Sequence, residues 1–137
     1  IIGSAACGAA GGRFAKKNVL SLLYLARAVV ILGFMLAPIS VWGAYLFAAM
    51  MGLLWLGTVP LTNALIAQVF GPRYRGAPFG IVFFSHQLGS FLGVWLGGRL
   101  YDLYGSYTGV WWVGVGVGAF SAIVHLPVRE NRSPVPA

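Results

Sequence analysis

Few side chains in this 137-residue sequence can do chemistry, and those few sit in apolar surroundings that raise the cost of each. Trp55, Thr58 and Thr62 fall on one helical face, with Asn63 at its margin. Asn63 is costly to bury unless it is hydrogen-bonded, so this arc is expected to face protein or a water-filled cavity where a polar solute could be held. Packing through interhelical hydrogen bonds is the plainer alternative. His86, with Gln87 beside it, lies inside another apolar run. An ionisable group there is a functional candidate by default, able to bond a solute or exchange a proton. Its competing reading is a histidine bonded to a carbonyl of a neighbouring helix. Ser85 and His86 project in different directions and form no nucleophile–base pair. The acids are Asp102 and Glu130 alone, one in each of two end segments, so paired-carboxylate catalysis lacks its parts and no enzyme is expected. Cys7, the single cysteine, rules out an internal disulfide and a thiolate metal cluster; it reads as a small packing residue. No cofactor or metal is expected.

Arg27 is the most costly residue of all. It follows Asn18 by nine positions, which places it roughly 13 Å along a helix. Its stem could snorkel back to an interface. Otherwise the guanidinium needs a lipid phosphate, an acid elsewhere or an anionic solute; snorkelling or structural pairing is preferred to substrate binding.

The elements that carry these residues are long apolar stretches. Residues 1–12 are about half the ~20 needed to cross a bilayer and read as a partial span. Complete spans are expected at about 19–37, 42–70, 78–100 and 109–126, so that residues 1–127 form the membrane part. The tail, 128–137, is expected to be disordered. Pro60 removes the hydrogen bond to the carbonyl of Leu56, predicting a kink there. Gly89, Gly93 and Gly97 recur every four residues in one stripe, the pattern that lets helices approach closely in lipid; His86 belongs to the same stripe. Helix packing is the favoured reading of these glycines.

Composition agrees with that layout. Hydrophobic residues make up 59% of the sequence and charged residues only 8%, with a mean hydropathy of +0.85. A soluble domain carries about a quarter charged residues, so a water-facing surface could not be assembled from this supply. The net charge of +7 would suggest nucleic acid in a soluble protein. Here the basic residues stand at the ends of spans, where they set topology and meet anionic headgroups, and no nucleic-acid partner is expected.

Charge also alternates by side. Arg13, Lys16 and Lys17, then Arg73 and Arg75, then Arg129 and Arg132 fall in every second connection, whereas the other connections hold Arg99 alone, three residues from Asp102. Trp42, Tyr45, Tyr101, Tyr104, Tyr107, Trp111 and Trp112 crowd the opposite side like an aromatic belt. The basic connections and the C-terminus are therefore expected in the cytoplasm.

The run Gly8-Ala9-Ala10-Gly11-Gly12-Arg13-Phe14-Ala15-Lys16-Lys17 resembles the loop signature Gly-x-x-x-Asp-Arg-x-Gly-Arg/Lys-Arg/Lys of the major facilitator superfamily. Gly8, Arg13, Lys16 and Lys17 match; Gly12 stands for the Asp and Ala15 for the second Gly, as suits the weaker copy between helices eight and nine. The segments 70–76, 85–89 and 97–107 look like helices ten to twelve of the bacterial branch akin to monocarboxylate porters. The resemblance implies an all-α membrane protein: the C-terminal part of a twelve-helix fold, with partial helix eight plus helices nine to twelve.

It further implies alternating access around a midplane site, with the tenth and eleventh helices lining the cavity and the ninth and twelfth peripheral. Trp55, Thr58, Thr62, Asn63, His86 and Gln87 become the implied substrate-binding residues. The implied cargo is a small organic anion such as a monocarboxylate, with co-transported protons. The implied partners are the lipid bilayer and the N-terminal remainder of the same transporter, in a bacterial cell membrane. The alternative is a non-transporting four-helix membrane subunit or assembly partner. A small four-helix multidrug exporter predicts an acid within a span, and the sequence has none.

Overall fold

The structure, a computed structural model, describes residues 2–38, 40–71 and 76–130, and among these the regular elements are helices alone. They are α1 (Ile2–Arg13), α2 (Lys16–Leu36), α3 (Val41–Leu56), α4 (Thr58–Phe70), α5 (Gly76–Tyr104) and α6 (Thr108–His125). Four stretches are long and apolar enough to cross a membrane: α2, α3 with α4, α5, and α6. Arg73 and Arg75 lie outside the described residues, as do residues 131–137 of the tail.

Helix ends follow local chemistry. Ser40 caps α3, its hydroxyl accepting from the Gly43 N–H at 3.0 Å. Gly71 (φ 84°) ends α4 and Gly105 (φ 64°) ends α5, backbone settings that favour glycine over any residue with a Cβ. The expected turn at 101–108 therefore shrinks to residues 105–107. Helix α5 continues through Asp102, because nothing before Gly105 interrupts it.

The interruption expected of the second span falls at Gly57, between α3 and α4 and within the turn that precedes Pro60. Pro60 sits in the first turn of α4, where a missing N–H has no intrahelical acceptor to lose. The loss that the sequence assigns to Leu56 is absorbed by starting a new helix.

Two rows of small residues do the packing. On α1, Gly3, Cys7 and Gly11 recur every four residues and meet Leu53, Gly57 and Leu61 in the same order, so α1 runs parallel to the second span. A Cβ on Gly3 would fall 2.3 Å from the Leu53 carbonyl oxygen, and one on Gly57 2.3 Å from Cys7 Sγ. On α6, Gly114 and Gly118 face Ile31 and Ala28, while the Ala122 carbonyl accepts from the Ser21 hydroxyl at 2.7 Å; α6 is thus antiparallel to α2. Lipid tails give no hydrophobic drive for association, so van der Waals contact at short range must supply it. The buried cluster of Leu20, Leu23, Leu61 and Leu65 lies where α2 meets α4, with Cys7 of α1 packed on it.

The third row, Gly89, Gly93 and Gly97 on α5, is used differently. Gly97 is buried, and an added Cβ there would come 3.9 Å from Val110 Cγ1, whereas one on Gly89 or Gly93 would meet nothing within 4 Å. Within the described residues the packing expected of this stripe is confined to Gly97.

Candidate functional site

Among the described residues, the polar groups that the sequence singles out lie at three places. The first is the break in the second span. Helix α3 ends with carbonyls that have no partner in the helix, and inside a bilayer these cannot be left bare. Thr58 Oγ1 donates to the Trp55 carbonyl at 2.8 Å. Arg27 reaches over from α2, and its Nη2 donates to the Leu54 carbonyl at 2.9 Å and to Thr58 Oγ1 at 3.3 Å. The guanidinium lies 4.7 Å above the Trp55 ring and 5.3 Å from that of Tyr24. A cation at the negative end of a helix is favourably placed. Snorkelling or structural pairing was the preferred expectation for Arg27; its partners here are a carbonyl, a hydroxyl and two rings, and its Nε is buried with no partner among the described residues.

This arrangement divides the arc expected to face a solute. Thr58 is buried, and Trp55, though half exposed, carries Arg27 on one face. Thr62 is half-buried. Asn63 is exposed on the outer side of α4, in an open groove of about 370 Å³ lined with Pro60, Ala64 and Ala67. Asn63 and Thr58 thus point to opposite sides of α4.

The second place is α5, which is exposed along nearly its whole length. His86 and Gln87 are both exposed, His86 with its ring 6.4 Å from that of Phe83. Ser85 and Ser90 return their protons to the carbonyls of Ile81 and His86, each at 2.9 Å, so both are satisfied within the helix. No hydrogen bond or ring contact among the described residues joins His86 or Gln87 to the α4 group.

The third place is the basic end of the bundle. Arg13 closes α1, and Lys16 and Lys17 form the first turn of α2, whose N-cap, Ala15, offers no side-chain acceptor. Glu130, from the tail expected to be disordered, takes that role: its carboxylate accepts from the Lys17 N–H. Lys17 Nζ in turn donates to the Leu126 carbonyl at 2.9 Å, past the end of α6. Gly11, Gly12, Arg13, Gln68 and Glu130 line one cleft there, so the ends of α1, α4 and α6 meet the start of α2. Gly8 is exposed, with open space around it. At the other end of the bundle Phe34 and Phe47 stack, and Trp111 meets the first tilted and the second edge-on, joining α2, α3 and α6.

Sequence reasoning missed Gly3, Gly11, Gly57, Gly114, Gly118 and Glu130. The four-residue spacing of Gly3, Cys7 and Gly11 was a usable signal. Nothing local connects Glu130 to Lys17, which is 113 positions away.

Comparisons with known proteins agree on one family. The family model described as Major Facilitator Superfamily matches residues 1–137. An uncharacterized MFS-type transporter of Bacillus subtilis (strain 168), YcxA, is 28% identical over 115 residues, covering 81% of this chain. The matched part is 28% of that relative, so the chain spans less than a third of its length. No solved structure matches.

Proposed function

The chain belongs to the major facilitator superfamily, and from that premise we propose that it is part of a secondary active transporter working by alternating access. Its cargo is a small organic anion such as a monocarboxylate, moved with protons. The observation that carries this reading is the exposure of polar groups on faces the chain leaves uncovered. His86 and Gln87 stand on α5, and Asn63 in the α4 groove. Groups of this kind within a span need a water-filled path or a protein partner. The remainder of the transporter supplies the opposite wall of such a path. The resemblance to monocarboxylate porters supports the substrate class, and His86 brings to these faces an imidazole whose ring nitrogens can donate and accept hydrogen bonds.

The bundle sits in the cell membrane with its basic end, including Lys17 and the C-terminus, in the cytoplasm. Thr58 and Trp55 support the break, while Asn63, His86 and Gln87 contact the solute and Thr62 borders them. Gly89 and Gly93 leave α5 a smooth face on which the remainder packs.

The test is uptake of a labelled monocarboxylate by the complete transporter in proteoliposomes under an imposed pH gradient. His86→Ala is expected to reduce uptake while the amount of inserted protein stays unchanged. Wild-type uptake by that variant would remove His86 from the site.

A further inference from the structure

We propose that Arg27 is the pin of a hinge at Gly57, holding α3 and α4 at a fixed angle until partners are exchanged. One nitrogen, Nη2, bonds to both sides of the break: to the Leu54 carbonyl on α3 and to the Thr58 hydroxyl on α4. The proton count is consistent. Thr58 spends its single hydroxyl proton on the Trp55 carbonyl and keeps a lone pair for Arg27. The guanidinium plane is held by Tyr24 of its own helix and Trp55 of the neighbour, which fixes the direction from which it grips. On another side of the break Cys7 lies against Gly57, and Gly3 against the Leu53 carbonyl, so α1 is a wall toward which the joint cannot move.

A swing of α4 relative to α3 therefore stretches the Arg27 bonds first. The side chain is equipped to take new ones, because only Nη2 of its three nitrogens is engaged at the break and its Nε is buried with no partner among the described residues. Lysine could not do the same. Its ammonium can meet two acceptors from one nitrogen, as Nη2 does, but it lacks the planar face that lies on the Trp55 ring and the further N–H groups on Nε and Nη1. The pin itself follows from the geometry; its consequence for turnover rests on the transporter reading above.

The experiment uses the complete transporter in a cysteine-free background with Cys7→Ser. Spin labels at Leu46 on α3 and Phe70 on α4 report the angle as a distance distribution. Arg27→Gln is expected to broaden that distribution, Thr58→Val to broaden it less, and Arg27→Lys to resemble Arg27→Gln. Maximal uptake should fall about tenfold in Arg27→Gln, the rate equivalent of a lost charged hydrogen bond, with KM little changed. An unchanged distribution in Arg27→Gln overturns the proposal, as does a loss confined to KM, which would put Arg27 on the solute. If Arg27→Gln does not accumulate in membranes, Thr58→Val decides, and an unchanged width there overturns the pin. A broadened distribution in a protein that moves no monocarboxylate upholds the pin and sinks the substrate assignment instead.

Discussion

Gly57 shows how much can depend on one missing methyl group. Its backbone angles, φ −75° and ψ −21°, suit any residue, so conformational freedom is not why glycine is needed. Space is: a Cβ there would fall 2.3 Å from Cys7 Sγ and 3.0 Å from Cys7 Cβ. Gly57→Ala is accordingly expected to destabilise the bundle by about 1–3 kcal/mol, the usual cost of overpacking. Because the obstacle is a side chain, Cys7→Gly should restore much of the loss; thermal unfolding of both variants in detergent measures it. Failure of the double variant to recover would mean that the α1 wall is not where the strain arises. Arg27 makes the complementary point. Its cost was legible in the sequence, but its partners were not, since a backbone carbonyl exposed by a helix break is not encoded by any residue type.

At the level of elements, the four-residue spacing of small residues was a correct signal with an ambiguous address. The same spacing recurs on α1, α5 and α6, and the sequence reading fastened on α5. The structure closes the rows of α1 and α6 on neighbours and leaves Gly89 and Gly93 open. Spacing says that a face is smooth; which helix lies on it depends on the positions of all the others. The start of α2 is a similar case. Two lysines in a first turn oppose the helix dipole, and α2 has no acid or side-chain cap of its own. Glu130 corrects this from the far end of the chain. Glu130→Gln should weaken the turn by about 0.5–1 kcal/mol, as for a lost charge–dipole contact. Faster hydrogen exchange at the Lys17 amide would register it, and unchanged exchange there would leave the contact without energetic weight.

For the molecule as a whole, the family, the all-helical class and the multi-pass character were legible in the sequence before any fold was seen. Hydropathy and length are sums over a span, and no neighbour can change them. The alternation of basic and aromatic ends likewise predicts sidedness: labels at Lys17 and Tyr104 should be accessible from opposite faces of the membrane, with Lys17 reached only from the cytoplasm. Reactivity of both from one side would overturn the proposed topology. Other features needed the assembled helices. The break falls at Gly57, within the turn that Pro60 marks, but the α1 contacts and the Arg27 bonds that meet it there were not visible in the sequence. The candidate arc from Trp55 to Asn63 splits because Arg27 claims one side of it and leaves Asn63 on the other. Composition and charge order are properties of the chain itself and fix its class, while the order of its motifs carries the family. The partner of a given carbonyl, hydroxyl or glycine is a property of distance between segments far apart in sequence, and only the packed bundle decides it.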